Sequence, residues 1–237
     1  MLARSVWSRE FLELSGRKGA FAAEAALPLA LALPLLAGPP HLPQAALLSS
    51  IIVLTSVLHA AARAHFMVRS GLAQRLARMP VPPYRLFFQT IIARSFLGFV
   101  RLLPLLLAME WRYRATPTTS LSLAALCLPS LVVAELAGAL AGSFARTAGD
   151  VWLHSLVLVL PALFLSGVFG PDGDPAGWQF ALSELFPFTF LHRAMLQMIR
   201  PFPGPFPSAV IGPAVWSAAG WMGVSMLELR RRIARMG

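Results

Sequence analysis

Apolar runs of about 20 residues recur from one end of this chain to the other, the length an α-helix needs to cross the hydrocarbon layer of a bilayer. In that layer no water pairs with backbone amides, so each run must satisfy its own hydrogen bonds, which makes each a helix. Composition agrees: 57% of the residues are apolar, 13% are charged and mean hydropathy is +0.68, which excludes a soluble fold. A net charge of +10 would suggest nucleic acid in a soluble protein. Here the cations gather at the ends of the apolar runs, the pattern that orients membrane helices with their basic loops in the cytoplasm. Nucleic acid is therefore not an expected partner. Membrane lipid is.

Taken in order, residues 1–18 set Ala3, Trp7, Phe11 and Leu14 on one stripe against Arg4, Ser5, Ser8 and Arg9, an interfacial helix closed by Arg17 and Lys18. Charges and acids before the first apolar run leave no pattern of a cleavable signal. Spans are expected at 19–38, 44–64, 86–109, 118–144, 151–169 and 208–229, with short outer loops at 39–43 and 110–117 and a tight inner turn at 146–150. Residues 176–199 are apolar and long enough to span, but Pro187 splits them and Glu184, His192 and Arg193 interrupt them. If they crossed, the terminal Arg230, Arg231, Arg232 and Arg235 would lie outside. With six spans, these arginines share one face with the basic residues of 4–18, 63–85 and Arg146. The expectation is thus an all-α integral membrane protein, a single transmembrane domain over 1–237 with both termini cytoplasmic. Residues 170–207 would be a re-entrant hairpin in the outer leaflet, sheltered by protein or water.

The joint between spans two and three is unusual. Residues 61–88 carry Arg63, Arg69, Arg75, Arg78 and Arg85 and no acid. Within them, 71–79 reads as a short helix with Leu72, Leu76 and Met79 on one face and Gln74 and Arg78 on the other. Ser70-Gly71 can start it, and Pro80, Pro82 and Pro83 stop it. A stiff amphipathic element ringed by cations reads as a docking surface for another protein. The rival reading is a helix lying passively among lipid headgroups.

An interfacial helix, six spans, a helix between the second and third, and a broken hairpin before the sixth together resemble the permease subunits of type-2 ABC exporters. The resemblance covers essentially the whole chain. It is sharpest at Gly71-Leu-Ala-Gln-Arg-Leu-Ala-Arg-Met-Pro-Val-Pro-Pro83, similar to that family's coupling helix (70–83 here), and at Leu165-Ser-Gly-Val-Phe169 followed by Leu185-Phe-Pro-Phe-Thr189. Arg69 and Leu72 stand where the family pattern carries an acid and a hydroxyl. The resemblance implies two permease copies, or this one and a homologue, with two ATPase subunits in a cell membrane. It also implies that Gly71, Leu72, Arg75, Leu76, Arg78, Met79, Pro80 and Pro83 couple to the ATPase, and that the hairpin helps gate the outer mouth. ATP and magnesium would be held by the partner and no cofactor by this chain: it has no GxxxxGK[ST] run, and its one lysine, Lys18, is followed by Gly19 and Ala20.

No catalytic constellation stands out. His41, His59, His65, His154 and His192 have no paired metal spacing, and lone Cys127 lies in an apolar run. Ionisable groups inside spans cost ~2.5–3.5 kcal/mol each at mid-bilayer, so each needs a reason. Glu24 reads as a headgroup-level residue paired to a cation. Arg101 and Glu135 read as a buried interhelical pair, with a substrate-path role or snorkelling as alternatives. His59 reads as a satisfied interior histidine rather than a proton relay. Ala134, Gly138 and Gly142, spaced by fours, suit close helix packing. In the hairpin, glycines loosen one end and prolines stiffen the other, so Phe186, Pro187 and Phe188 are expected to plug the mouth at the break while Trp178 rests at the interface. A static brace for spans five and six is the alternative. The resemblance implies an exporter permease with no ATPase activity of its own. A non-transporting assembly or scaffold protein is the alternative, and an integral-membrane enzyme is disfavoured.

Overall fold

The computed structural model describes residues 18–38, 44–70, 83–114, 116–165, 168, 182–199 and 210–236. Their regular structure is helical: α1 (Lys18–Ala37), α2 (Gln44–Arg69), α3 (Pro83–Tyr113), α4 (Pro117–Phe144), α5 (Ala148–Leu165), α6 (Pro187–Ile199) and α7 (Ile211–Met236). Four of them, α2, α3 from Arg85, α4 and α5, are long and apolar enough to cross a membrane. The apolar part of α1, Phe21–Ala37, is shorter, and α7 dilutes its apolar residues with Gly, Ser, Trp and a charged end.

Helix α4 is the hub, packing against α2, α3, α5, α6 and α7. Its start is chemically marked. Thr116 has extended backbone, its hydroxyl accepts from the Thr119 amide at 3.4 Å, and Pro117 takes the first helical position, where no amide partner is needed. The tightest contact in the bundle joins α4 to α2. A Cβ added at Gly138 would lie 2.5 Å from Ala60 Cβ and from the Val57 carbonyl oxygen; one at Gly142 would run into the Ala61 backbone. Only glycine lets these two backbones approach so closely.

Hydroxyls in the apolar interior are satisfied locally. Ser50, Thr55, Ser56, Ser95, Ser130 and Ser155 each donate to the carbonyl four residues earlier, at 2.6–2.9 Å. The main core cluster unites α1, α2, α3, α4, α6 and the start of α7 through Leu48, Ile52, Leu105, Leu126, Cys127, Phe190, Leu191 and Met195.

Several boundaries differ from those read in the sequence. Helix α2 runs on through Arg69, five residues past the expected span. α3 runs through Tyr113, so the outer joint shrinks from 110–117 to three residues. Both extensions have the same cause, a polar side chain near the helix end that finds acceptors on a neighbour. Arg112 donates through Nε to the Leu36 carbonyl at 2.8 Å and through NH2 to that of Gly38 at 3.2 Å, closing the end of α1. Beside it the Tyr113 hydroxyl donates to Gln44 Oε1 at 3.1 Å, and Gln44 Nε2 donates to the Leu35 carbonyl at 3.1 Å. At the far end of α2, His65 and Arg69 make the equivalent contacts.

Candidate functional site

Three helices bring charge into the apolar interior at one place. Arg101 of α3 is buried, and its NH2 lies 2.8 Å from Glu24 Oε2 of α1 while its NH1 lies 2.7 Å from His59 Nε2 of α2. Guanidinium only donates, so His59 Nε2 accepts and the imidazole carries its proton on Nδ1. Glu24 and His59 are 3.7 Å apart, too far for a hydrogen bond, and the facing nitrogen is already engaged by Arg101. Arginine is thus the centre, with an acid on one side and a neutral histidine on the other. Phe21, one turn before Glu24, closes the cluster with its ring centroid 5.4 Å from the guanidinium carbon. Arg94, two turns before Arg101 on the same side of α3, reaches Met67 Sδ at 3.3 Å.

The sequence reading placed Arg101 beside Glu135. The structure gives Arg101 the Glu24 carboxylate and the His59 ring, and buries Glu135 on α4. Glu24 does hold a cation, one contributed by a different helix. What sequence reasoning missed was depth. The α1 helix starts where α2 ends and α3 begins, so a residue six positions into α1 lies level with the middle of α2.

A second polar focus lies where α2 ends. His65 Nδ1 sits 3.0 Å from the Ala145 carbonyl oxygen, and Arg69 donates to the Arg146 carbonyl. These carbonyls belong to the turn between α4 and α5. Asp150 holds the turn from the other side, accepting from the amides of Arg146 and Thr147 at 2.9 Å each while Thr147 Oγ1 accepts from the Asp150 amide. This is a reciprocal cap at the start of α5. Arg69 is the residue just before Ser70-Gly71, so the segment read as a docking helix leaves α2 at the clamp. Of that segment, Gly71, Leu72, Arg75, Leu76, Arg78, Met79 and Pro80 lie outside the described residues, and Pro83 is the first residue of α3.

Before the last helix, Trp178 also lies outside the described residues, while Phe186, Pro187 and Phe188 are placed. Pro187 opens α6, so the break falls where proline requires it. Phe188 is buried in the cluster formed by Val53, Val57, Val133, Val159 and Leu163; Phe186 is half-buried and packs on its edge. The two rings stack with centroids 6.5 Å apart, and Phe186 tilts against Trp221 of α7 at 5.6 Å. Trp221 Nε1 and the Ser217 hydroxyl both donate to the Leu185 carbonyl, which tethers the break to α7. Ser49 of α2 lies 3.3 Å from His192 Nδ1, fixing α6 on its other side.

No curated protein and no solved structure matches the chain. Residues 1–199 match the family described as ABC-2 type transporter. That stretch includes the three-helix ion cluster, the clamp at the end of α2 and the whole of α6. With its apolar helices, it makes this a multi-pass membrane protein of a non-catalytic permease family whose members associate with ABC ATPases. This chain belongs to the ABC-2 type transporter family.

Proposed function

We propose that this chain is the membrane-spanning permease subunit of an ATP-driven exporter in a cytoplasmic membrane. It forms the translocation pathway as a dimer and is driven by two separate ATPase subunits that hold ATP and magnesium. The observation that carries the reading is the family match across residues 1–199, which includes the arginine-rich joint at 61–88. Six spans with both termini in the cytoplasm follow from the placement of the basic residues. Leu72, Leu76 and Met79 enter an ATPase groove, and Gly71, Arg75, Arg78, Pro80 and Pro83 shape and orient that element.

The clamp supports a mechanical role for the joint. A push on residues 71–82 arrives at Arg69 and Ser70, and the contacts of His65 and Arg69 pass it to the turn between α4 and α5. Helix α4, the hub, is then displaced from its end. On the outer side Phe186, Pro187 and Phe188 sit at a break that can shift without unfolding a span, which suits a gate, with Trp178 at the interface. The Arg101 cluster acts as a structural lock between the first three helices, with Glu135 a further buried acid near the hub's centre.

The test is co-expression with the neighbouring ATPase. A complex of two ATPases and two permeases should form and hydrolyse ATP, while the purified chain alone should show no turnover. ATP hydrolysis by the isolated chain sinks the proposal, and so does failure to assemble with any ATPase encoded beside it.

A further inference from the structure

A fissure of about 310 Å³ opens where α3 and α4 approach their connecting turn. Leu103 and Leu107 line it from α3 and Leu121 and Ala124 from α4, with Glu110 and Ser120 at the end nearest the turn. The volume is at the lower end of the range for small-molecule sites. Leu103, Leu107 and Leu121 are well exposed, which in a membrane span means facing lipid. Leu103, Leu107 and Glu110 share one side of α3, and at 1.5 Å per residue the apolar wall runs about 10 Å away from the polar end. The fissure therefore has the polarity of an amphiphile, wet at the bilayer edge and apolar toward its centre.

Among the described residues, neither of its two polar groups has a hydrogen-bond partner. Glu110 makes no hydrogen bond or ion pair to another described residue. Nearby Arg112 cannot serve it, because its guanidinium is committed to the carbonyls of Leu36 and Gly38. The Ser120 hydroxyl is shielded from water yet has no hydrogen-bond partner among the described residues, unlike Ser50, Ser95, Ser130 and Ser155, which bond back along their own helices. A buried hydroxyl left in that state costs stability unless something completes it. An acceptor-only carboxylate beside a free hydroxyl donor suits a primary ammonium next to a phosphate or ester oxygen.

We propose that this fissure binds phosphatidylethanolamine, with its ammonium on Glu110, an ester or phosphate oxygen accepting from Ser120, and an acyl chain along Leu103, Leu107 and Leu121. A choline headgroup has no N–H to donate, and phosphatidylglycerol would bring net negative charge against the carboxylate. The fissure opens to lipid between α3 and α4, away from the clamp, with Met198 of α6 on its inner wall, so this lipid is a resident and not the cargo. The inference rests on reading α3 and α4 as membrane spans.

The experiment uses the full chain in nanodiscs of equal phosphatidylethanolamine and phosphatidylglycerol. It is stripped gently with detergent, and retained lipid is measured by native mass spectrometry. The wild type should retain phosphatidylethanolamine in preference. Glu110→Gln should lower that occupancy about tenfold, equivalent to ~1.4 kcal/mol, and Ala124→Phe should reduce retention of either lipid by filling the fissure. Equal retention of both lipids by the wild type overturns the proposal, as does an unchanged preference in Glu110→Gln. A disulfide between copies carrying Leu107→Cys overturns it too, because a second protomer would then cover the fissure. Retention is scored without the ATPase, so its failure is distinguishable from failure of the exporter reading.

Discussion

Replacing Gly142 by alanine should be among the most damaging one-carbon changes in this protein. The added Cβ would lie 2.8 Å from the Ala61 carbonyl carbon and 2.9 Å from Ala61 Cα, and closer still to its carbonyl oxygen. All three are backbone atoms of α2, so no rotamer can relieve the contact and the helices must separate. Overpacking of this kind costs ~1–3 kcal/mol. The upper half of that range is expected here, because α2 and α4 form the tightest helix pair and the strain sits one turn from the clamp. Moving α2 outward would also lengthen the His65 contact to Ala145 O, now 3.0 Å. Gly98→Ala is the internal control. Its Cβ would meet only the two Leu131 methyl groups, at 3.7 and 3.9 Å, and alanine gains roughly 0.5–1 kcal/mol over glycine within a helix. The assay is thermal or denaturant unfolding of the detergent-solubilised protein, with both variants side by side. Gly142→Ala should melt well below the wild type, and Gly98→Ala at or above it. If Gly142→Ala is as stable as the wild type, the close approach of α2 and α4 is wrong.

Other consequences can be checked with single substitutions. Glu24→Ala should destabilise the bundle more than Arg101→Met: losing the acid removes the counter-charge from a deeply buried guanidinium that is always charged, whereas Glu24 is the less buried of the two. Equal losses would show that the cluster contributes only packing. Phe188→Ala should cost ~3–5 kcal/mol by opening a cavity in the core; Phe186→Ala should leave the fold largely intact and alter transport rate or leak, and normal transport would make the hairpin a brace. Leu76→Asp should replace apolar burial worth ~1.5–3 kcal/mol with a desolvated charge and abolish ATPase assembly while insertion survives; normal assembly would return the joint to a passive surface helix. Cys127 is fully buried, so single cysteines can be placed in the otherwise native chain. His41→Cys, Arg114→Cys and Gly173→Cys should label from outside, and Ser70→Cys and Arg235→Cys only after permeabilisation; outside labelling at 235 would refute six spans.

Much of the fold was legible because its determinants are local. Apolar runs and the Pro187 break are readable within a few residues: four of the runs are helices long and apolar enough to cross a membrane, and α6 begins at Pro187. The fourfold spacing of Ala134, Gly138 and Gly142 correctly announced close packing, although no pattern named Ala60 and Ala61 as what they pack on. Determinants that act between distant segments were not legible. Two helix ends that the sequence placed about a turn too early are held by another segment: that of α2 through Arg69 by the turn after α4, and that of α3 through Arg112 by the end of α1. The Glu24 partner of Arg101 was not legible for the same reason, since no local pattern brings the start of α1 beside the middle of α3.

That division bears on how such a protein can move. The α2–α4 contact is built from Ala60, Ala61, Gly138 and Gly142, where backbones meet with nothing between them to repack, so this pair must travel as one rigid piece. The polar contacts at helix ends lie elsewhere, at the His65 and Arg69 clamp and at the Arg112 and Gln44 ties around α1. Hydrogen bonds between helix ends can exchange partners at little net cost, because each is worth only ~0.5–1.5 kcal/mol. A push entering at Arg69 would therefore be carried undiminished by the rigid pair and absorbed where polar ends can re-pair. One of those places is the Leu185 carbonyl, which already accepts from both Ser217 and Trp221 and so can release one donor while keeping the other. Trp221→Phe, which keeps the ring against Phe186 but removes one donor, should then ease opening at the hairpin and raise transport without loss of stability. A fall in both would mean that the tether holds the fold and takes no part in opening.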